Sequence, residues 1–357
     1  MGTMTYASPL LTRAGAATLQ EDSPIDAAGV AWHYGNPLVE QRFVEDSGAI
    51  IDRSHRRVIS VAGPDAPSFL NNLLSQKLDD TAPGYSAQAL DMDIQGRILH
   101  TMGVAVSKDG TFYLDTPAAE FPSLLDYLTK MIFWSQVTVA EADIAVLSVL
   151  GAPLECSAAV FARTLPPATE LAAPQTDFGV PRGELETAVA ELEGQGGKLA
   201  GLMAYTAQRV RAREPELAAD LDSKAIAHEV PQWIGRAPHP GAVHLNKGCY
   251  RGQETVARVE NIGRSPRLLV MVYLDGSAPT MPIPGADITS GGRRVGRLGT
   301  VVDDCDFGPV ALALVKRSAL GGPLQIGDVA AAVEQGTIPQ DEGPKAGRAA
   351  QQRLRGR

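Results

Sequence analysis

The hydrophobic pattern of the 357-residue sequence changes near Pro266, and this change constrains the fold more than any other feature. Before it, strand-like runs such as Arg57 to Val61 are interleaved with amphipathic helical stretches, in which apolar residues recur three and four positions apart. After it, strand-like runs follow one another through Gly- and Pro-rich turns with no helical pattern between them. This order predicts the α+β class, with a small antiparallel β-barrel or sandwich at the C-terminal end.

We predict five segments along the chain from these patterns. They are a flexible leader (1–21), an N-terminal α+β lobe (22–150), a second α+β lobe (151–265), a C-terminal β-barrel (266–335) and a basic disordered tail (336–357). The tail is expected to be disordered because, after Glu342, it carries five cations and no acid. A solvated terminus and a weak nucleic-acid contact are both open interpretations of this tail.

The composition excludes some classes of partner and location. With 32 Lys and Arg against 41 Asp and Glu, the chain lacks a general basic surface for duplex phosphates. No apolar run approaches 18 residues, so we expect no membrane span. Three cysteines are too few for a disulfide framework and fit a reducing compartment, and the cytoplasm is therefore the expected location.

The segment KGCYRGQE (247–254) is the most informative about chemistry. Cys249 lies between Lys247 and Arg251 and just before a predicted helix, and all three neighbours favour the thiolate form of a cysteine. The glycines on either side of this cysteine would let a substrate or partner approach closely. The alternative is an inert buried cysteine in a glycine loop, and spacing alone does not decide between the two.

The other cysteines and nearby histidines suggest less chemistry. Cys156 lies in an apolar run and is expected in the core, whereas carboxylates on both sides of Cys305 disfavour its thiolate. His239, His244 and Cys249 could ligate zinc or an iron–sulfur species, but their spacing of five residues is not a known ligand pattern. We therefore predict no resident metal.

The KGCYRGQE segment resembles the KGC[FY]xGQE signature of YgfZ-type folate-binding proteins, which are relatives of the glycine-cleavage T-protein, an aminomethyltransferase. Other stretches match the same family in order: Ile51 to His55, Val61 to Ala66, Gly84 to Leu99, Asp220 to Asp222, and Val295 to Arg297. The resemblance implies two α+β lobes and a C-terminal barrel, arranged around a central channel that takes tetrahydrofolate.

The resemblance also implies roles for individual residues. It assigns the functional thiol to Cys249, tuned by Lys247 and Arg251. The rest of the motif is expected to shape the loop: Gly248, Tyr250, Gly252, Gln253 and Glu254. Folate contacts are expected at four positions: His100, Arg209, Arg211 and Asp93. Two of these depart from the T-protein pattern, because His100 replaces its catalytic Asp and Arg211 replaces the Glu that meets the pterin ring.

The function implied by the resemblance is an accessory factor for iron–sulfur cluster assembly or repair, with tRNA-modifying enzymes among its client enzymes. Tetrahydrofolate or a derivative is the expected cofactor, and an iron–sulfur cluster is not expected to be stably bound. The alternative is a folate-dependent aminomethyltransferase. The imidazole of His100 disfavours it, because an imidazole does not replace a carboxylate that must stay ionised. A third interpretation is a structural or RNA-binding protein that uses the basic tail.

Overall fold

The structure is a computed structural model that describes residues 6–20, 22–236, 239–261 and 263–339. Its strands are β1 (Ala16–Ala17), β2 (His33–Tyr34), β3 (Ala49–Asp52), β4 (Arg57–Ala62), β5 (Ser86–Met92), β6 (Ile98–Val106), β7 (Phe112–Thr116), β8 (Thr138–Ala142), β9 (Ile144–Leu150), β10 (Phe161–Leu165), β11 (Gln175–Pro181), β12 (Lys198–Ala200), β13 (Arg267–Leu274), β14 (Asp287–Ser290), β15 (Arg293–Asp304), β16 (Gly308–Lys316), β17 (Leu324–Ile326) and β18 (Val329–Val333). Its α-helices are α1 (Pro37–Asp46), α2 (Ala66–Leu73), α3 (Phe121–Lys130), α4 (Leu185–Gly194), α5 (Leu202–Ala212), α6 (Leu217–Asp220) and α7 (Gln253–Asn261). Among the described residues, no helix has the length and apolar character needed to cross a membrane.

The first sheet has the strand order β5-β6-β7-β4-β8, with every neighbouring pair antiparallel. Helices α2 and α3 pack on one of its faces, where Leu70 of α2 and Leu124 and Leu128 of α3 are fully buried. Their spacing of three to four residues puts these apolar side chains on one side of each helix. The sheet and its two helices therefore form one lobe with its own core.

The second sheet has the order β10-β11-β9-β3-β12 and crosses the predicted boundary at residue 150. Strands β3 and β9 precede that boundary, yet β9 pairs with β11 as well as with β3. The chain passes from the first sheet to the second at Asp143, between β8 and β9. All seven residues of β9 are buried, so its apolar run is suited to a central strand, whereas β8 is largely exposed at a sheet edge. The second lobe therefore includes strands from both sides of residue 150.

The C-terminal strands close into the predicted barrel, with the order β13-β16-β15-β14-β17-β18 and pairing of β18 back onto β13. Successive side chains of β13 point to opposite faces. Leu268 and Val270 lie in the barrel core, while Leu269 and Met271 join the core shared with the two lobes. The barrel therefore packs against the rest of the molecule through one face of its strands.

The prediction of a flexible leader is wrong for residues 6–20. Pro9 to Thr12 form a 3-10 turn, and Leu10 is fully buried with residues of the second sheet. The hydroxyl of Ser8 donates a hydrogen bond to the carboxylate of Asp52 at the end of β3. The composition of this segment is small and polar, but one leucine and one hydroxyl are enough to attach it. Residues 1–5 and 21, and the tail from 340 onward, lie outside the described residues.

Candidate functional site

The hairpin of β5 and β6 supports the KGCYRGQE segment at its tip. Asp93 closes the turn, because its Oδ1 accepts the backbone N–H groups of Gln95 and Arg97 at 2.8 and 2.9 Å. Gly252 lies against this turn with φ +86°, and a Cβ there would be 2.8 Å from the Asp93 carbonyl oxygen. The Thr255 hydroxyl also donates to the Gln95 carbonyl at 2.7 Å. Only glycine fits at position 252, and Asp93 is occupied as a turn residue rather than a ligand contact.

Lys247 anchors one end of the thiol loop, which we define as residues 247–252. Its ammonium donates to the backbone carbonyls of Asn71, Leu74 and Gln76 at 2.5, 2.5 and 3.0 Å, at the C-terminal end of α2. Carbonyls at a helix C-terminus favour a cation. Burial lowers the pKa of Lys247 to about 8, and its Nζ lies 4.7 Å from the centre of the Tyr250 ring. Lys247, the cation that the sequence places beside the thiol, therefore binds backbone carbonyls next to α2.

Arg251 anchors the other end of the thiol loop. Its guanidinium donates to Asp91 Oδ1 at 2.6 Å and stacks 4.4 Å from the centre of the Tyr127 ring. The other oxygen of Asp91 lies 2.8 Å from His100 Nδ1, and His100 Nε2 lies 2.8 Å from Ser123 Oγ. Both cations that the sequence places beside the thiol thus have partners outside the thiol loop.

Cys249 remains exposed between these two anchors. The described residues include no hydrogen-bond partner for its sulfur. A Cβ added at Gly248 would contact nothing within 4 Å, so the space beside the thiol is open. Gln253 Oε1 accepts the Tyr250 N–H at 3.2 Å. Glu254 is exposed in the first turn of α7. The arrangement presents a thiol on a loop fixed at both ends.

The other candidate thiols and ligands differ from Cys249. Burial raises the pKa of Cys156, which is partly buried against the second lobe's core. Burial also raises the pKa of Cys305, with Asp306 and Asp304 adding to it as predicted from the sequence.

The three residues considered as metal ligands do not converge. His239 Nδ1 and His244 Nδ1 accept the backbone N–H groups of Gly241 and Asn246, two residues further along the chain. Among the described residues, the group of potential ligand atoms that does converge is Asp304, Cys305 and Asp306. Arg211 and Arg42 pair with its carboxylates, so this group is neutralised by the chain itself.

A pocket that is open to solvent lies between the two sheets and α5, and we call it the central pocket. Its walls include β5, β6, β10 and β11. Charged residues at one end come from separate strands and loops. Arg163 bridges Asp115 and Asp177, Arg56 pairs with Asp115 at 2.7 Å, and Arg53 approaches Asp177 at 3.4 Å. Burial alone would raise the pKa of both carboxyl groups, but the arginines outweigh it and lower both.

The central pocket also has buried polar atoms that lack a hydrogen-bond partner. Glu214 Oε1 accepts from Gln88 Nε2 at 2.8 Å and from the Trp233 indole N–H at 3.2 Å, and burial raises the pKa of Glu214. Among the described residues, neither Gln88 Oε1 nor Arg209 Nε has a hydrogen-bond partner, although Arg209 Nε lies 3.4 Å from Glu216 Oε1. A buried acceptor and a buried donor left unsatisfied are expected where a ligand completes the hydrogen bonding.

Of the four predicted folate contacts, Arg209 lines the central pocket. Thr101 also lines it, and because neighbouring residues on a strand face opposite ways, His100 turns away toward Asp91 and Ser123. Arg211 binds Asp304 through two hydrogen bonds of 2.7 Å on the barrel, away from the pocket. Asp93, as described above, closes the hairpin turn. His100, Arg211 and Asp93 therefore lie outside the lining of the central pocket, and folate contact by these three residues stays a prediction.

Sequence reasoning missed Glu120, which lies beside the central pocket. Its Oε2 accepts the backbone N–H of Thr101 at 2.7 Å. Thr101 lies on β6 beyond the stretch, Gly103 to Val106, that pairs with β7. Burial raises the pKa of Glu120 to about 7, although this hydrogen bond by itself lowers the pKa. A carboxyl group that titrates near neutrality next to a pocket is a candidate for proton exchange. No motif marks this residue in the sequence.

Comparisons with known proteins agree with the resemblance. Residues 267–338 match the family of the CAF17 C-terminal beta-barrel domain. The chain is 27% identical over 256 residues to the tRNA-modifying protein YgfZ of Cronobacter sakazakii, covering 68% of this chain and 76% of the relative. It is 27% identical over 304 residues to the mouse mitochondrial iron-sulfur cluster assembly factor IBA57, covering 76% and 78%.

Among solved structures, the glycine cleavage system aminomethyltransferase T from Bartonella henselae superposes with a TM-score of 0.73 at 18% identity, over 91% of this chain and 94% of that one. This match shows a common fold, with two lobes and the C-terminal barrel. The sequence relatives agree with the resemblance carried by the motif. The chain is therefore similar in sequence to YgfZ-type proteins, and it has the T-protein fold.

Proposed function

We propose that the protein is an accessory factor for the assembly or repair of iron–sulfur clusters, including those of tRNA-modifying enzymes, that binds a reduced folate and acts through Cys249. The observation that carries this proposal is the exposed Cys249 on a loop anchored at both ends by Lys247 and Arg251. The relatives named as a tRNA-modifying protein and as an iron-sulfur cluster assembly factor support it. The cysteine content supports the cytoplasm as the site of action.

The chemistry of the thiol fits this role. A thiolate is both a nucleophile and the usual protein ligand of an iron–sulfur cluster. A single accessible cysteine does not complete the ligand set of a cluster, which takes about four protein ligands. In this proposal the cluster therefore belongs to the client enzyme. Cys249 contacts the cluster only transiently.

The central pocket fits a reduced folate by its donor and acceptor set. Gln88 Oε1 offers a buried acceptor with no hydrogen-bond partner among the described residues, and Arg209 Nε offers a buried donor whose ion-pair partner, Glu216 Oε1, is 3.4 Å away. The pterin ring is flat and carries N–H donors and a carbonyl acceptor, and Trp233 provides an aromatic wall. The arginines of the pocket are cations suited to carboxylates. When bound, a reduced folate would supply ring and chain nitrogens that carry a one-carbon unit.

The proposal is tested by complementation of a strain that lacks the protein, with the activities of several iron–sulfur enzymes as the readout. We expect Cys249→Ala to abolish complementation and to leave the fold intact, because an exposed side chain contributes little packing. Cys305→Ala is the matched control and should complement fully. Full rescue by Cys249→Ala would contradict the role of the thiol.

Folate binding and the alternative activity are tested on the purified protein. Calorimetry with tetrahydrofolate should show binding that is weakened by Arg209→Gln. Absence of heat at millimolar ligand would contradict the folate proposal. We expect no aminomethyl transfer, because His100 faces away from the central pocket. Production of methylenetetrahydrofolate with the other glycine-cleavage components would favour the aminomethyltransferase instead.

A further inference from the structure

Asp91 connects the thiol loop to the first sheet. The side chain is fully buried on β5, with one carboxylate oxygen 2.6 Å from an Arg251 nitrogen and the other 2.8 Å from His100 Nδ1. The second ring nitrogen of His100 is engaged by Ser123. Asp91 is thus the carboxylate bound by Arg251, and the carboxylate itself is held in place from the opposite side.

This pairing weakens the electrostatic effect of Arg251 on the Cys249 thiol. A lone cation two residues from Cys249 would favour the thiolate. A cation in contact with a carboxylate acts on its surroundings as a dipole, whose field falls off faster with distance than that of a single charge. The sequence places a charge beside the thiol, and the structure neutralises it.

We propose that Asp91 is a positioning residue for Cys249. It fixes one end of the thiol loop by binding Arg251 and neutralises the charge of Arg251, so a fixed loop presents the thiol without that neighbour ionising it. The inference rests on the proposed function only in taking Cys249 as the functional thiol. The charged and titratable groups around this pair are His100 on β6 and Tyr127 on α3, with Lys247, Lys77 and Asp79 at the far end of the loop.

The test is the pH dependence of Cys249 alkylation in a Cys156→Ala, Cys305→Ala background, with iodoacetamide as the probe. Asp91→Asn leaves an unpaired cation, so we expect the pH of half-maximal rate to fall by about half a unit. Arg251→Gln leaves an unpaired carboxylate and should raise it by a similar amount. The double variant Asp91→Asn, Arg251→Gln restores neutrality and should return close to the parent value.

Controls separate this electrostatic signature from a general structural effect. Asp126→Asn removes an exposed carboxylate of α3 that pairs with Lys130, and should leave the alkylation profile unchanged. The series is repeated with His100→Gln, because the imidazole can take up a proton when Arg251 is lost. Thermal unfolding of each variant verifies that it is folded. If Asp91→Asn does not fold, Arg251→Gln decides the test alone.

Opposite shifts in the two single variants that cancel in the double variant would support the proposal. Shifts of the same sign, or an unchanged profile in Arg251→Gln, would overturn it. The alkylation assay needs no client enzyme, so its outcome is independent of complementation. If Cys249→Ala complements but the shifts occur, the proposed function fails and the positioning role stands. If Cys249→Ala fails to complement but the shifts do not occur, the proposed function stands and only the positioning role fails.

Discussion

The central pocket and the thiol loop both depend on cations, but they use them in different ways. In the pocket, Arg163 is buried between Asp115 and Asp177, and each of these carboxylates has a second arginine beside it. In the thiol loop, Lys247 and Arg251 are partly buried, and each attaches one end of the loop to a separate neighbour. The first arrangement is an interlocked network, and the second is a pair of independent attachments.

The difference teaches how each site can function. Charges that are buried and mutually paired are expensive to separate, so the pocket is rigid and formed before any ligand arrives. The thiol loop leaves Cys249 exposed between its attachments, which suits a thiol that reacts with a large partner. We therefore expect substitutions in the pocket to lower the free energy of unfolding of both lobes. Substitutions in the thiol loop should change the structure of that loop and little else.

The largest effect is expected for Arg163→Met. This substitution leaves two fully buried carboxylates with one arginine each, and breaking a buried pair typically lowers the free energy of unfolding by about 3 to 5 kcal/mol. Denaturant unfolding measures it. Arg57→Met is the matched control, because Arg57 forms an exposed pair with Glu141 and should cost less than about 1 kcal/mol. Equal losses in the two variants would show that the pocket network is not interlocked.

Lys247→Met should cost about 2 to 3 kcal/mol, because it leaves three carbonyls at the end of α2 without their charged donor. Hydrogen exchange should rise in residues 247–252 and change little in the pocket strands. Lys130→Met removes a lysine that is largely exposed on α3 and serves as the control. Faster exchange throughout the first sheet would contradict the idea of a local attachment.

The two glycines of the thiol loop offer a direct comparison within one motif. Gly252→Ala forces a side chain into a left-handed backbone conformation and within 2.8 Å of the Asp93 carbonyl, so a loss of about 1 to 3 kcal/mol is expected. Gly248→Ala meets open space and should change the free energy of unfolding by less than about 0.5 kcal/mol. Thermal unfolding of the two variants side by side measures the difference. Similar losses would mean that the turn at Asp93 does not restrict the loop.

Local patterns were enough to predict much of the fold. The change of periodicity at Pro266 predicted the barrel, and the strand-like run from Arg57 to Val61 matched β4. The second sheet was not predictable in the same way, because its strands come from separated parts of the chain. The partners of long side chains were also missed. Lys247 reaches carbonyls more than 170 residues earlier, a contact that no spacing within the motif reveals.

Periodicity separates the two arginines of α5 that are candidate folate contacts. Arg209 and Arg211 are two positions apart, and residues two apart on a helix face different directions. In the structure Arg209 faces the central pocket, while Arg211 faces the barrel and binds Asp304. The same reasoning on a strand separates His100 from its neighbour Thr101. Helical and strand periodicity therefore applies to functional residues as much as to core residues.

Glu120→Gln is expected to change the pH dependence of stability more than the stability at any single acidic pH. Burial raises the pKa of Glu120 from 4.5 to about 7 in the folded protein. A carboxyl group with a raised folded pKa adds stability below its unfolded pKa, and this contribution is lost as the pH rises through the folded pKa. Between pH 4.5 and 7, the wild-type free energy of unfolding should therefore decline by about 2 kcal/mol more than that of the variant.

The amide of Glu120→Gln keeps an oxygen to accept the Thr101 N–H, so the two proteins should be nearly equally stable at pH 4.5. Urea unfolding at half-unit steps of pH measures the difference between the two curves. Glu141→Gln, at an exposed position on β8, should parallel the wild type. If the Glu120→Gln curve also parallels the wild type, Glu120 titrates alike in the folded and unfolded chains. The central pocket would then lack a proton-exchanging group beside Thr101. It would differ from the thiol loop only in its buried pairs between arginines and carboxylates.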